Sequence, residues 1–229
     1  MKKTVSILIL FIVLGTLGYG VYRVFLRPSL SDEVPAVEQN DTGVSATQII
    51  AVGDSLTAGY GLPLAESYPA QLEERLLAEG YSVKVVNAGI SGETTAGLLE
   101  RVEFIKQNKP DIILITIGGN DALRNLPIEQ TKNNITSIIQ SFKEILPAEK
   151  IFLMQIRSPL NAGLVYAGKF NSMYEEISES EKVVLVPFVE SRVFLNSAFM
   201  SGDGIHPNKE GYAFLVDKYI YPAVEKILE

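Results

Sequence analysis

The chain has 229 residues, 47% of them hydrophobic and 21% charged, with no cysteine and a single histidine. This composition fits one globular domain; it excludes disulfides and a cysteine nucleophile, leaves too few nitrogen ligands for an ordinary catalytic zinc site, and indicates no metal or other cofactor. The net charge is −7, and the residues after position 30 carry 16 basic and 27 acidic side chains, a net charge of −11 that disfavours nucleic acid as a partner.

Residues 1–27 are predicted to be a membrane anchor or a cleaved signal segment. Thr4–Tyr22 contains no charge and follows Lys2 and Lys3. As a helix it covers about 28 Å, close to the hydrocarbon thickness of a bilayer. Gly18-Tyr-Gly20 offers a small-x-small cleavage site, but the apolar run continues past it, so we favour an uncleaved anchor. Either alternative, anchored or secreted, places the remaining chain outside the cytoplasm.

A linker and one folded domain are predicted to follow. Residues 28–46 are polar, acidic and contain two prolines without apolar periodicity, which is typical of a linker. Residues 47–229 alternate between short β-branched runs and helical spacings. The predicted strands are Gln48–Val52, Val83–Val86, Ile112–Ile117, Ile151–Gln155 and Val183–Val186. The helical stretches are marked by Tyr68, Leu72 and Leu76, by Leu98, Val102 and Ile105, by Ile128, Ile135, Ile138 and Phe142, and by the ranges Tyr166–Ser178 and Asn208–Leu228.

This alternation predicts an α/β fold. Strands that are apolar throughout are typical of a parallel sheet covered by helices on both faces. In such sheets, functional residues lie beyond the carboxyl ends of the strands. The segments that follow the strands are therefore the ones in which to look for a site.

The first strand leads directly into Gly53-Asp54-Ser55-Leu56. A serine in this position suits a nucleophile or a phosphate-binding loop, although a turn or helix-capping role explains Ser55 alone about as well. Dinucleotide and Walker A patterns are missing here. The nearest match to a G-x-S-x-G elbow, Gly89-Ile-Ser91-Gly-Glu93, ends in glutamate.

The next two strands also end in small polar segments. Gly89 follows the second strand, where a glycine can present its N–H group to a ligand, and Asn120 follows Gly118-Gly119 after the third, where its amide can donate two hydrogen bonds. Each has an ordinary alternative explanation as a turn residue. Their shared place at successive strand ends favours a common site.

The single histidine, His206, lies three residues after Asp203 in a glycine- and proline-containing loop before the last helix. This spacing lets the carboxylate approach Nδ1 and leaves Nε2 free to take a proton from a serine. If the chain has an acyl-transfer site, His206 must supply its imidazole.

Together these segments resemble the SGNH-hydrolase (GDSL esterase/lipase) superfamily, and within it the bacterial acyl-CoA thioesterase and lysophospholipase branch, over Gln48–Leu228. The matching segments are Gly53-Asp54-Ser55-Leu56, the Gly89 glycine in its N-x-G-x-S-G context, Gly118-Gly119-Asn120-Asp121 and Asp203-Gly-Ile-His206-Pro207. The resemblance implies a three-layer α/β/α sandwich with a five-stranded parallel sheet, of the flavodoxin-like kind.

The resemblance also implies a serine hydrolase that cleaves carboxylic esters or thioesters through an acyl-enzyme. Ser55 would attack the carbonyl, His206 would take and return the proton, and Asp203 would orient His206. The N–H groups of Ser55 and Gly89 and the amide of Asn120 would form the oxyanion hole.

The substrate is less well specified by the sequence. The family branch commonly has Pro-x-Asn-Tyr-Gly after the fourth strand, whereas this chain has Pro159-Leu160-Asn161-Ala162-Gly163. Leu160, Leu164 and Tyr166 could bind substrate in an apolar groove, or could be ordinary loop and helix residues. We expect small or lipid-like acyl esters; the alternatives are a glycan O-deacetylase and a catalytically silent binding domain on a membrane tether. Oligomeric state and acyl chain length stay open.

Overall fold

In the computed structural model, the described residues are 46–158, 163–188 and 191–229, and they contain a five-stranded parallel sheet. Its order is β2-β1-β3-β4-β5. The strands are β1 (Thr47–Gly53), β2 (Val83–Gly89), β3 (Ile112–Thr116), β4 (Ile151–Gln155) and β5 (Val184–Pro187). All five predicted strands are present, with ends that differ from the prediction by three residues at most.

Helices cover both faces of this sheet, which makes the fold a three-layer α/β/α sandwich as expected. They are α1 (Ser55–Ala58), α2 (Tyr68–Ala78), α3 (Thr95–Lys106), α4 (Gly119–Leu123), α5 (Ile128–Lys143), α6 (Leu164–Glu181), α7 (Ser191–Phe194), α8 (Lys209–Leu215) and α9 (Tyr221–Leu228). Short 3₁₀ turns lie at Leu64–Glu66, Ala148–Lys150 and Ser197–Phe199.

The predicted N-terminal segment, residues 1–27, lies outside the described ranges, as does all of the predicted linker except Ala46. Within those ranges no helix combines the length and the hydropathy of a membrane span.

The apolar strands form the centre of the core. Every residue of β3 is buried, and so is β1 from Ile49 onward. The helical spacings turn the expected faces inward, since Tyr68, Leu72 and Leu76 of α2 are completely buried. Burial on both sides of the sheet is the condition under which parallel strands lose the apolar-polar alternation of a half-exposed sheet.

The register brings three strand ends to one level. Gly53, the last residue of β1, pairs with Gly89 of β2 and with Thr116 of β3. The segments that follow these strands therefore leave the sheet side by side. This places the first three candidate segments at one edge of the molecule.

The closing helix differs from the prediction of one continuous helix over Asn208–Leu228. A π-helical turn, Val216–Ile220, separates α8 from α9. Pro222 explains the break, because it has no N–H group to donate to the carbonyl of Lys218 and its ring crowds that carbonyl. The wider turn accommodates this without ending the helical path.

Candidate functional site

Ser55 lies at the first turn of α1, directly after β1, and is partly exposed. The preceding residue, Asp54, is the N-cap: its Oδ1 accepts a hydrogen bond from the N–H group of Leu56 at 3.0 Å. The Asp54 N–H group in turn donates to Thr116 O of β3 at 3.2 Å. The backbone at Ser55 is therefore fixed against two strands, which holds the hydroxyl at the edge of the sheet.

Asp203 shapes the loop that carries His206. Its Oδ1 accepts hydrogen bonds from the N–H groups of Ile205 at 2.9 Å and of His206 at 3.0 Å. Its Oδ2 lies 2.6 Å from Nδ1 of the imidazole. Burial acts to raise the pKa of this carboxyl, but the hydrogen bonds from His206 and Ile205 and the nearby imidazole outweigh it and hold the pKa of Asp203 below its usual value. The carboxylate stays ionised beside the ring.

The structure brings Ser55 and His206 together although 151 positions separate them. Nε2 of the imidazole lies 2.8 Å from Ser55 Oγ. Because the Asp203 carboxylate accepts from Nδ1, the ring proton belongs on Nδ1 and the lone pair of Nε2 faces the serine hydroxyl. This is the geometry of a nucleophile, a base and an orienting carboxylate.

Gly89 lies where the end of β2 meets the first helix. A Cβ atom at this position would be 2.3 Å from the Ala58 N atom, so only glycine permits this close approach to α1. Its N–H group donates to Asn87 Oδ1 at 3.0 Å, and the Asn87 amide donates to Thr57 O at 2.8 Å. The predicted oxyanion donor thus lies beside α1 but already has a partner within its own strand.

Asn120 is in α4, which begins immediately after Gly118. That glycine has a φ of 115°, and a Cβ on it would lie 2.6 Å from Tyr174 Oη. Nδ2 of Asn120 donates to Glu93 O at 3.0 Å and to Asp54 Oδ2 at 3.3 Å. The amide therefore joins the segments that follow β1, β2 and β3.

Asp54 is the buried acid of this site, with only 1% of its surface exposed. Burial raises its pKa to about 6, against the opposing effects of the Leu56 N–H group, the nearby His206 imidazole and the Asn120 amide. The sequence singled out Asp54 as part of a motif and gave it no role. The structure shows that its carboxylate links the Leu56 N–H group, next to Ser55, to the Asn120 amide.

An ion pair that the sequence analysis missed supports the segment after β2. Arg101 of α3 donates from Nε and Nη2 to the two carboxylate oxygens of Glu93, both at 2.6 Å, and from Nη2 to Ala88 O at 2.8 Å. Glu93 is the residue whose carbonyl holds Asn120. The signal for this pair is weak in the sequence, because Glu93 lies in the segment before α3 and not on the helix that carries Arg101.

One aromatic side chain contacts the candidate triad, and two exposed apolar residues are neighbours of site residues in the sequence. The Tyr60 ring lies 4.9 Å from the His206 ring, centroid to centroid. Ile90 follows Gly89, Ile205 precedes His206, and both are about half exposed. None of these three was among the predicted substrate-binding residues.

The structure describes two of the three predicted substrate-binding residues, Leu164 and Tyr166, and shows neither in contact with the triad. Leu160 lies outside the described residues. Leu164 begins α6 and is 93% exposed. Tyr166 donates from its hydroxyl to Leu126 O at 3.2 Å and stacks on Phe170. Their assignment to an acyl groove therefore stays a prediction.

Within the described ranges, no group of three or more histidine or acidic side chains is arranged to hold a metal ion. The site as described consists of a hydroxyl, an imidazole, a carboxylate and nearby amide donors. These groups suffice for acyl transfer with protons moving between side chains.

Comparison with known proteins places the chain in a family. Residues 51–214 match the model of the GDSL-like lipase/acylhydrolase family. The chain is 34% identical to an arylesterase of Vibrio mimicus over 76% of this chain and 86% of the relative. It is 36% identical to thioesterase 1/protease 1/lysophospholipase L1 of Escherichia coli, over 79% and 86%. The crystal structure of the psychrotrophic esterase EstA from Pseudoalteromonas sp. superposes with a TM-score of 0.73 at 32% identity, over 80% of this chain and 98% of that one.

Proposed function

Because this chain belongs to the GDSL-like lipase/acylhydrolase family and is a serine hydrolase of acyl esters or thioesters, we propose that Ser55, His206 and Asp203 are its catalytic triad. The observation that carries the proposal is the continuous path from Ser55 Oγ to His206 Nε2 at 2.8 Å and from Nδ1 to Asp203 Oδ2 at 2.6 Å.

The reaction follows from this path. Ser55 Oγ attacks the acyl carbonyl while Nε2 of His206 takes the hydroxyl proton, and the ionised Asp203 stabilises the imidazolium that forms. Collapse of the tetrahedral intermediate breaks the bond to the leaving group, which receives the proton from Nε2. A water molecule then repeats the sequence on the acyl-enzyme, giving up its proton to His206 and releasing the acid.

The tetrahedral oxyanion is assigned to the N–H groups of Ser55 and Gly89 and to the amide of Asn120. The Gly89 N–H group donates to the neutral side chain of Asn87, and the Asn120 amide has a long contact of 3.3 Å to Asp54. A stronger acceptor can replace both partners. An oxyanion is such an acceptor, because hydrogen bonds to ionised groups are shorter and about twice as strong. The 3.0 Å bond to Glu93 O would keep the Asn120 amide oriented meanwhile.

The surroundings of the triad favour small or lipid-like acyl esters over glycan esters. The exposed side chains at Tyr60, Ile90 and Ile205 are apolar or aromatic, whereas a glycan needs a cleft lined by polar groups. Turnover of p-nitrophenyl esters from acetyl to palmitoyl, compared with release of acetate from acetylated xylan, separates the two. Preference for the xylan would favour the glycan O-deacetylase.

The triad is tested by substitution. Ser55→Ala and His206→Ala should each lower kcat for p-nitrophenyl butyrate by about 10⁴-fold or more. Ser91→Ala is the matched control, because Ser91 is exposed and belongs to the other serine motif of the sequence. It should stay within about twofold of the wild type. A Ser55→Ala protein with near-normal turnover would show that another residue is the nucleophile. Such turnover would still exclude the catalytically silent binding domain, because the protein would be active.

For the rest of the chain, we propose that residues 1–27 anchor the protein in the cytoplasmic membrane, that residues 28–46 link it to the hydrolase domain of residues 47–229, and that this domain lies outside the cytoplasm. The uncharged run Thr4–Tyr22 supports an anchor. A secreted or periplasmic protein after cleavage near Gly18-Tyr-Gly20 is the alternative.

A further inference from the structure

Tyr60 is held at a fixed position relative to Ser55 by the backbone. The helix α1 ends at Gly59, whose φ of 75° is left-handed, and the N–H groups of Gly59 and Tyr60 both donate to Ser55 O at 3.1 Å. Gly61, with a φ of 81°, turns the chain away again. The ring of Tyr60 is therefore carried on a tight turn that is tied to the proposed nucleophile itself.

The ring of Tyr60 has one side against the site and much of its surface in solvent. Its centroid is 4.9 Å from that of the His206 imidazole at an interplanar angle of 41°. The residue is nevertheless 54% exposed. An exposed aromatic ring with part of its surface free can bind a further apolar or aromatic group.

The chemistry determines what occupies this free space. The proton that His206 takes from Ser55 goes next to the leaving group, so the leaving oxygen or sulfur must come within about 3 Å of Nε2. The first atoms beyond that oxygen or sulfur then lie beside the imidazole. The Tyr60 ring, 4.9 Å from the imidazole between centroids, is an aromatic surface beside which those atoms can lie.

We propose that Tyr60 is the specificity-determining residue of the leaving-group side, where its ring stacks on flat aromatic leaving groups and so favours aryl esters over simple alkyl esters. This deepens the proposed function and rests on it, since it takes His206 as the proton donor to the leaving group. The acyl group lies on the other side of the carbonyl carbon and does not contact Tyr60.

The test compares two esters that form the same acetyl-enzyme, phenyl acetate and ethyl acetate, in the full-length protein. For Tyr60→Ala we expect kcat/KM for phenyl acetate to fall about tenfold and that for ethyl acetate to fall less than about twofold. The rate at which the acetyl-enzyme is hydrolysed should stay close to that of the wild type, because both esters form the same acetyl-enzyme. Tyr60→Phe keeps the ring and should retain the wild-type preference; Phe104→Ala, which removes an exposed aromatic ring from α3, should change neither ester.

The outcomes separate this proposal from a supporting role for Tyr60. Equal losses on phenyl and ethyl acetate would mean that Tyr60 positions His206, and would overturn the leaving-group assignment. A loss in Tyr60→Phe as large as in Tyr60→Ala would assign the effect to the hydroxyl and overturn it as well. Failure of the triad itself would appear differently, as normal turnover of both esters by Ser55→Ala.

Discussion

At the scale of single residues, the hydrogen bonds of Asp54 favour its charged form, whereas its burial disfavours that form. Its carboxylate caps α1 at Leu56 and lies against the Asn120 amide, yet it is almost completely buried. Burial disfavours the charged form, and this is the main reason that its pKa rises to about 6. The site therefore contains a carboxyl group whose ionisation costs stability near neutral pH.

This gives a prediction with a definite sign. Between the ordinary value of 3.8 and about 6, the folded protein keeps a proton that the unfolded chain has released, so raising the pH through this range lowers the free energy of unfolding. The contribution is about 3 kcal/mol for a shift of roughly two pKa units. In Asp54→Asn this dependence should disappear, and chemical denaturation of both proteins at pH 4 and pH 7 measures the difference. Equal losses of stability in the two proteins would contradict the assigned pKa.

The site residues that the sequence pattern itself marked as candidates are those defined by short spacings, whereas their catalytic roles follow from the family resemblance. Asp203 and His206 are three positions apart, and Ser55 directly follows a strand, so local pattern and the strand-end rule were enough to select them. The contact of Tyr60 with His206 and that of Asp54 with Asn120 join residues 146 and 66 positions apart. Such contacts depend on how the loops cross above the sheet, and no local spacing contains that information.

At the scale of elements, the sheet was predicted correctly, whereas the break in the closing helix was missed. Parallel strands buried on both faces give continuous apolar runs that are easy to recognise. The apolar spacing over Asn208–Leu228 continues across the π-helical turn, so periodicity alone joins α8 and α9 into one helix. Pro222 was the signal for a break, because proline disturbs the backbone four residues earlier.

The segment after β2 gives the prediction at this scale. Arg101 holds Glu93 by two parallel hydrogen bonds and Ala88 O by a third, and the Glu93 carbonyl orients Asn120. Lysine keeps the charge but cannot form the paired contact. Arg101→Lys should therefore lower kcat by about tenfold through a misplaced oxyanion donor, with the melting temperature little changed.

The matched control is Arg75→Lys, which makes the same replacement in the exposed pair with Glu79 on α2. Exposed pairs of this kind contribute little to stability. Among the described residues, Arg75 and Glu79 make no hydrogen bond or ion pair with Asn120 or Glu93. Its kcat should equal that of the wild type. An Arg101→Lys enzyme that matched this control would show that the ion pair does not position Asn120.

At the scale of the whole molecule, the described residues from Ala46 onward belong to one compact unit. The first strand of its sheet begins at Thr47, and the described residues of the site lie between Asp54 and His206. The three-layer fold was predictable from alternating strands and helices, whereas the assignment of residues 1–27 rests on hydropathy and length alone.

Deletion of residues 1–45 should therefore leave kcat/KM for p-nitrophenyl butyrate and the melting temperature unchanged, while changing where the protein is found. We expect the full-length chain to sediment with membranes and to resist extraction by carbonate at high pH, and the shortened chain to stay in the supernatant. A full-length chain that is released intact by carbonate would exclude the anchor, and one that is shortened near residue 20 would favour the cleaved signal segment.

Covalent capture of the nucleophile tests the central claim most directly. A fluorophosphonate ester should add one phosphonyl group per chain to Ser55 Oγ with loss of fluoride. Its phosphorus atom is attacked in place of the acyl carbon, and His206 takes the hydroxyl proton. Peptide mass spectrometry should locate the adduct on Ser55, labelling of His206→Ala should be slower by orders of magnitude, and Ser55→Ala should take no label. Labelling of Ser91, or a Ser55→Ala protein that is labelled as fast as the wild type, would contradict the account.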